Sequence, residues 1–483
     1  MLIQAVKSSN RGKHVPRQQK LSWVEEGRGE GQYVDSSRTD GYQLTKEGGI
    51  GRLYPWVPID VLPDNVLLET FDLYLGKDDA DEFDCGHSYD GWQTLVHVCH
   101  RWRCIVFASP RRLDLKLYCT PQRSVDSKTL DTWPALPIVI VAEGIKSKED
   151  VTNVIAALRH QTRVCRIYYR NGRFQDSLLK EFAAIDEPFL ALTSLELFAF
   201  KQQNVPVLPD SFLGGYAPRL RSLDLDGIPY PPIGRLLSST TNLVRLSLSR
   251  IPHSGYIAPE TIVPFLSTLS RLESLGLGFQ YPQSQAHRAS RHPPPLTRVV
   301  LLNLPFFYFG SDIEYLEDIL SQIETPILSQ SNLYLFNKLL FDTPPLGYFI
   351  RRTGTFMTVH KVRVKFCSWA VKVTLSRREE VANKDRQALR LEITCKPLEW
   401  QLSAVAQVLN SFLSSLPNLD NLEIAVSRKV RQGEIEVIQW QEFLRLFTSV
   451  KDMTLEFKDS VRLVAPALQE LAGERATEVL PAL

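Results

Sequence analysis

The phrase L-x-x-L-x-L recurs along the middle of the chain: Leu220, Leu223 and Leu225 before Ile228; Leu243, Leu246 and Leu248 before Ile251; then Leu272, Leu275 and Leu277. Alternation at period two puts both leucines of L-x-L on one side of an extended strand. Looser copies begin at Val164 (with Ile167, Tyr169), Leu192 (Leu195, Leu197), Leu296 (Val299, Leu301, Leu304), Val359 (Val362, Val364, Phe366), Leu419 (Leu422, Ile424) and Val450 (Met453, Leu455, Phe457). Starts at 164, 192, 220, 243, 272 and 296 lie 28, 28, 23, 29 and 24 residues apart. Leucines scattered through a core by chance have no reason to keep that spacing, so one structural unit is repeated.

The segments between the strands read as covering helices. Asp150 to His160 places Val151, Val154, Ile155 and Leu158 on one face, and Thr261 to Leu272 follows Pro259. Asp312 to Ile323 gathers Ile313, Leu316, Leu320 and Ile323, and Leu402 to Leu416 gathers Leu402, Val405, Leu409, Phe412 and Leu416. Each is amphipathic at the helical period. The predicted fold class is therefore α/β, short strands alternating with helices over residues 113–470, with 471–483 a C-terminal tail. Between 325 and 360 the period lapses, and Pro344, Pro345 and Gly347 mark a loop or a distorted repeat. SRREEVANKDRQA, at 376–388, is a charged connector, read as a hairpin between Val371–Leu375 and Leu389–Ile393.

Upstream of the repeats the texture differs. Residues 1–55 mix charges with Gly, Ser and Gln without hydrophobic period, which predicts a disordered tail. Residues 56–112 predict a small all-helical module. Its first helix carries Val66, Leu67, Phe71, Leu73 and Tyr74, with Asp64 as its cap. Six acidic residues between Gly76 and Gly91 predict an exposed loop. A second helical stretch carries Leu95, Val98, Cys99, Trp102, Ile105 and Val106 at three- and four-residue steps until Ser109 and Pro110.

Composition narrows the function classes. A formal charge of +2 supplies no general field for nucleic acid or a membrane surface, and neither is expected as a partner. Seven scattered cysteines predict reduced thiols and a cytoplasmic or nuclear setting. No apolar stretch approaches the roughly 18 residues of a spanning helix. Phosphate loops, dinucleotide fingerprints, hydrolase elbows and zinc-protease motifs are all missing, so no catalytic residue and no cofactor is expected. Cys85, His87, His97, Cys99, His100 and Cys104 crowd one window, but without paired C-x-x-C spacing a metal site is not predicted. Asp224 and Asp226 share a strand face that either receives a basic peptide or is a solvated strand edge. The basic, Pro-rich SQAHRASRHPPP reads as a loop, and Phe306, Phe307, Tyr308 and Phe309 as core or a groove.

LPDNVLLETFDLYL, an acidic insertion and LVHVCHRWRCIVFASP together resemble the F-box, with its Leu-Pro opening, Leu-Leu helix and later V-C-x-x-W helix. The following repeats have the leucine-rich-repeat period, and the pair resembles the F-box and leucine-rich-repeat architecture of expanded fungal families. The array is expected to be an irregular solenoid, because Gly227 and Arg250 replace the usual Asn or Cys. The resemblance implies a substrate-recognition subunit of a cullin-based ubiquitin ligase, itself not an enzyme. A Skp-type adaptor, and through it a cullin, would dock on Leu62, Pro63, Val66, Leu67, Phe71, Leu95, Val98 and Trp102, and the repeats would hold a protein substrate. Cys99 and Ile105 would lie inside the module. Two rivals stand beside this expectation: a repeat scaffold with no ligase role, and an enzyme with a dispersed active site.

Overall fold

A computed structural model describes residues 61–75, 91–121, 135–170, 175–199, 207–231, 234–280, 298–336, 344–379, 384–427 and 437–474. The expected tail at 1–55, nearly all of the acidic insertion, the basic Pro-rich loop and residues 475–483 lie outside them. The fold is mixed α/β. The described residues fall into two units, one holding residues 61–75 and the other the remainder, so the two helical stretches expected at 56–112 are divided between them.

In the first unit stands helix α1 (Asp64–Leu75). The Pro63 carbonyl accepts from the Leu67 amide at 3.1 Å, so Asp64 is the helix's first residue and Pro63 holds the capping position. The second unit begins with α2 (Gly91–Val98) and α3 (His100–Ala108). The single helical stretch expected here is broken at Cys99, whose backbone is extended and whose Sγ accepts from the Trp102 amide at 3.5 Å. The Arg103 side chain ties the two pieces together by donating to the Val96 carbonyl at 3.0 Å.

Sixteen strands follow among the described residues: β1 (Leu117–Cys119), β2 (Ile138–Glu143), β3 (Val164–Arg170), β4 (Ser194–Phe198), β5 (Ser222–Asp226), β6 (Arg245–Ile251), β7 (Ser274–Phe279), β8 (Val299–Val300), β9 (Phe306–Ser311), β10 (Ile323–Glu324), β11 (Gln330–Phe336), β12 (Val359–Phe366), β13 (Ala370–Glu379), β14 (Lys384–Thr394), β15 (Asn421–Val426) and β16 (Asp452–Glu456). Fourteen form one sheet in the order β1-β2-β3-β4-β5-β6-β7-β9-β11-β14-β13-β12-β15-β16. Every pairing is parallel except the two made by β13.

The repeated leucines set the register. Leu195, Leu223, Leu246, Leu275 and Phe307 stand opposite one another, and so do Leu197, Leu225, Leu248, Leu277 and Phe309. All are buried, and each such side chain stabilises the fold by about 2 kcal/mol relative to exposure. Equivalent backbone bonds recur at the repeat spacing: the amides of Thr193, Arg221, Val244 and Glu273 donate at 2.8 Å to the carbonyls of Cys165, Thr193, Arg221 and Val244. At the far ends of β5 and β6, Gly227 and Arg250 both take the left-handed conformation. The Ala199 amide donates to the Asp226 carbonyl and the Gly227 amide to that of Ser249, both at 2.8 Å. A Cβ at Gly227 would lie 2.3 Å from the Ala199 carbonyl oxygen.

Helices connect the strands: α4 (Lys148–Leu158), α5 (Gln175–Ala184), α6 (Arg235–Ser239), α7 (Pro259–Thr268), α8 (Ile313–Gln322), α9 (Pro344–Arg352), α10 (Leu398–Asn410), α11 (Val437–Leu444) and α12 (Lys458–Glu474). Ser147 and Asp150 form a capping box at the start of α4. The expected tail from 471 still carries the last turn of α12.

Two expectations are corrected. The copy starting at Leu296 does not join the main sheet. Its Val299–Val300 pairs with β10 in a separate two-stranded sheet, and the strand after Pro305, FFYFGS, takes the vacant place. Pro305 still supplies the repeat bond, its carbonyl accepting from the Ser329 and Gln330 amides at 2.8 and 3.0 Å. At 344–352 the prolines open a helix instead of marking a loop, because the first turn has no use for their missing N–H. Gly347 lets that helix approach the 411 backbone, where a Cβ would meet the Ser411 oxygen at 2.4 Å.

The hairpin expected around 376–388 is present, but with a topological inversion. The chain leaves β11, skips two places to lay down β12, and doubles back through β13 so that β14 lands beside β11. Fully buried Gln401 on α10 anchors the turn-back, its Nε2 donating to the carbonyls of Cys367 at 2.7 Å and Cys395 at 2.9 Å. Gln401→Leu orphans both acceptors. It is expected to cost about 2–4 kcal/mol, read as an earlier urea midpoint, with amide exchange rising first in β12–β14.

Candidate functional site

Two groups of residues are candidates for function. The first is the set of eight expected docking residues. On α1, Leu67 and Phe71 are buried and Val66 is exposed; just before the helix, Leu62 is half-buried and Pro63 exposed. The helix also turns Leu73, 83% exposed, and Tyr74, 58% exposed, to solvent. Val66, Leu73 and Tyr74, at i, i+7 and i+8, share one stripe, while Leu67 and Phe71 hold another. Leu73 and Tyr74 were absent from the expected set, although the same periodicity marks them. In the second unit Leu95 is buried, Trp102 half-buried and Val98 exposed. Ile105 is buried as expected, and Cys99 is half-buried. Leu67, Phe71 and Leu95 are thus buried, and the other five of the eight are partly or largely exposed.

Of the cysteine and histidine cluster, Cys85 and His87 lie outside the described residues. His100 and Cys104 approach at 3.7 Å, one turn apart on α3. Among the described residues no group of three His, Cys, Asp or Glu side chains is placed to hold a metal ion, and no helix is long and apolar enough to cross a membrane.

The second surface is the sheet face opposite the leucines, built from the x positions of L-x-L. Its central row runs Tyr168, Glu196, Asp224, Ser247, Gly276, Tyr308, Asn332, Arg390, Thr374, Arg363, Glu423 and Thr454 across the strands. At the β2–β3 end it is apolar, with Val139, Val141 and Tyr168 buried and Phe198 packed against them. A carboxylate group follows. Ser194 donates to Glu196 at 3.1 Å, Asp226 pairs with Arg250, and Asp224 bonds Ser247 while its Oδ1 is buried without a partner. Beyond them Gly276, Gly278 and Gly310 give low relief, but they do not line an empty trough. A Cβ on Gly310 would come within 3.2 Å of the Tyr308 hydroxyl, so the phenol leans along the sheet above that position. Tyr308 packs against Tyr334 with the rings tilted and their centroids 5.3 Å apart, and Tyr334 lies 5.7 Å from the Arg390 guanidinium.

From β14 to β16 the face becomes an ion-pair network. Buried Glu392 is ion-paired with Lys372 at 2.9 Å and Arg390 at 3.4 Å, and buried Glu423 with Lys361 at 2.9 Å and Arg363 at 3.2 Å. Arg363 continues to Glu456, and His360 and Lys361 both reach Asp385. The Glu423–Glu456 hydrogen bond, with burial second, pushes the Glu456 carboxyl up. Burial also raises Glu423, but the hydrogen bonds from Glu456 and Lys361 outweigh it and leave that carboxyl low. Sequence reading passed over this network because KVRVKF and VKVTL register first as alternating core strands; the charged alternate positions were its only signal.

No family model matches the chain, and no curated protein matches it. What the face does is therefore read from its chemistry.

Asp224 gives a pH test. Burial raises its carboxyl from 3.8 to about 6, with Glu196 and Asp226 adding to the rise. The folded state thus binds the proton more tightly, and ionisation penalises folding fully above pH about 6 and not at all below the unfolded pKa. At about 1.4 kcal/mol per pH unit the penalty reaches up to about 3 kcal/mol. Asp224→Asn is expected to raise the melting temperature at pH 7.5, with the gain vanishing by pH 4.

Proposed function

We propose that the chain is a substrate-recognition subunit of a cullin-based ubiquitin ligase. In this reading a Skp-type adaptor grips the N-terminal helices, and a protein substrate lies against the polar face of an irregular leucine-rich-repeat solenoid. The observation that carries the proposal is the double-sided apolarity of α1: Leu67 and Phe71 anchor it while Val66, Leu73 and Tyr74 stay in water. An exposed apolar stripe of this kind marks a protein contact. The F-box resemblance of LPDNVLLETFDLYL supplies the partner's class. Transfer chemistry belongs to the partners, and this chain contributes proximity by raising the local concentration of substrate near the conjugating enzyme.

A scaffold without ligase role is the second reading, favoured by the burial of Leu67, Phe71 and Leu95, which withdraws three of the eight expected contacts from the surface. A pull-down of the full chain with a purified Skp-type adaptor separates the two. The double change Val66→Asp with Leu73→Asp alters only exposed positions. It is expected to abolish capture while leaving the melting temperature within about 2 °C of wild type. Failure of the folded wild-type chain to capture the adaptor favours the scaffold.

A further inference from the structure

The two ends of the large sheet are finished differently. At the first, Leu113, Leu115, Leu117 and Cys119 are all buried, and Trp92 of α2 donates from Nε1 to the Lys116 carbonyl at 3.0 Å beside β1. At the other, β16 has a single neighbour, β15, and no described backbone group pairs with its outer side. Its inward side chains are less covered than those of β15, even with α12 packed against both strands. Leu422 and Ile424 of β15 are buried, whereas Met453 and Leu455, in register with them, are only half-buried. Phe457, next in the chain, is held in the left-handed conformation at φ 68 with half its surface in water, strain that a bulky residue rarely accepts. Repeat arrays ordinarily close such ends with a polar cap.

We infer that the outer edge of β16 is a docking site for an extended segment of a partner protein, added as a further strand and alternating apolar with basic residues. The pattern follows from what the new strand would face. Its side chains on the leucine side would cover Met453 and Leu455, and alternate side chains would stand beside Asp452 and Glu456. Those are the two ionisable residues on that side of β16; Asp452 is exposed, and Glu456 is engaged by Arg363 and Glu423. Lys451 and Lys458 flank the strand and limit the complementary segment to its length. Asp452 and Glu456 lie about 13 Å apart at the rise of a strand, which sets basic residues at i and i+4 of the partner. This inference rests on the sheet edge alone and stands whether or not the chain binds an adaptor.

The test uses the full chain and a short peptide of alternating valine and lysine, with a valine–glutamate peptide as control, and reads fluorescence anisotropy and amide exchange. The expected result is saturable binding of the lysine peptide with slowed exchange at Asp452–Glu456, weakened about tenfold or more by the exposed change Asp452→Lys, and no comparable binding of the control. No binding, or binding that leaves β16 exchange unmoved, overturns the proposal. So do concentration-dependent dimers that the peptide fails to dissociate, which would assign the edge to a second copy. Binding that appears only after deletion of residues 475–483 assigns it to the chain's own end, and likewise overturns the proposal.

Discussion

Register of the leucine layer is the constraint on which everything else in the sheet depends. A strand slipped by one residue would turn its leucines to the wrong face, so Leu223 must stand between Leu195 and Leu246 and nowhere else. The opposite face inherits its order from that requirement. Glu196, Asp224, Ser247 and Tyr308 form a row only because the residues beside them are locked, and their chemistry can vary without touching the core. The fold thus separates a layer that holds from a layer that can bind.

The β12–β14 insertion obeys the same rule by other means. Its central strand runs backwards, yet Val371, Val373 and Leu375 are as buried as the repeated leucines. Irregular pairings at Val359/Lys361 and Leu375/Ser376 absorb the mismatch. Cross-strand pairing also sets Lys365 opposite Lys372. Like charges so placed repel, and buried Glu392, held by Lys372 and Arg390, offsets part of that repulsion.

Strands that keep L-x-L at the repeat spacing were legible in the sequence; those that do not were hidden. Phe306–Phe309 is an unbroken aromatic run with no alternation to count, and IVIVA in β2 is apolar on both faces. Neither advertises a period, although Phe306–Phe309 pairs in unbroken register with β7 and β2 pairs with β3 across one irregularity at Ile138/Val139. The break between α2 and α3 was invisible for another reason: a cysteine at the capping position carries none of the usual signal of Ser, Thr or Asp. On α1, spacing told which residues share a face but not which face turns inward, so the expected set mixed Leu67 and Phe71, which are buried, with Val66, which is not. Acid–base pairs spanning widely separated strands, such as Arg363 with Glu456, are contacts of topology that no local window contains.

The inverted strand order carries a consequence for how the molecule is made. Up to β7, each new strand in the main sheet can zip onto its predecessor in a succession of short closures. At β11 that succession stops, because its next neighbour is β14 and the strand synthesised next goes three places away. During synthesis the far side of β11 stays unpaired until residues 384–394 have emerged. Half the sheet therefore presents a sticky rim while the rest is still being translated, and the joint at β11 is where assistance, or misassembly, would be concentrated.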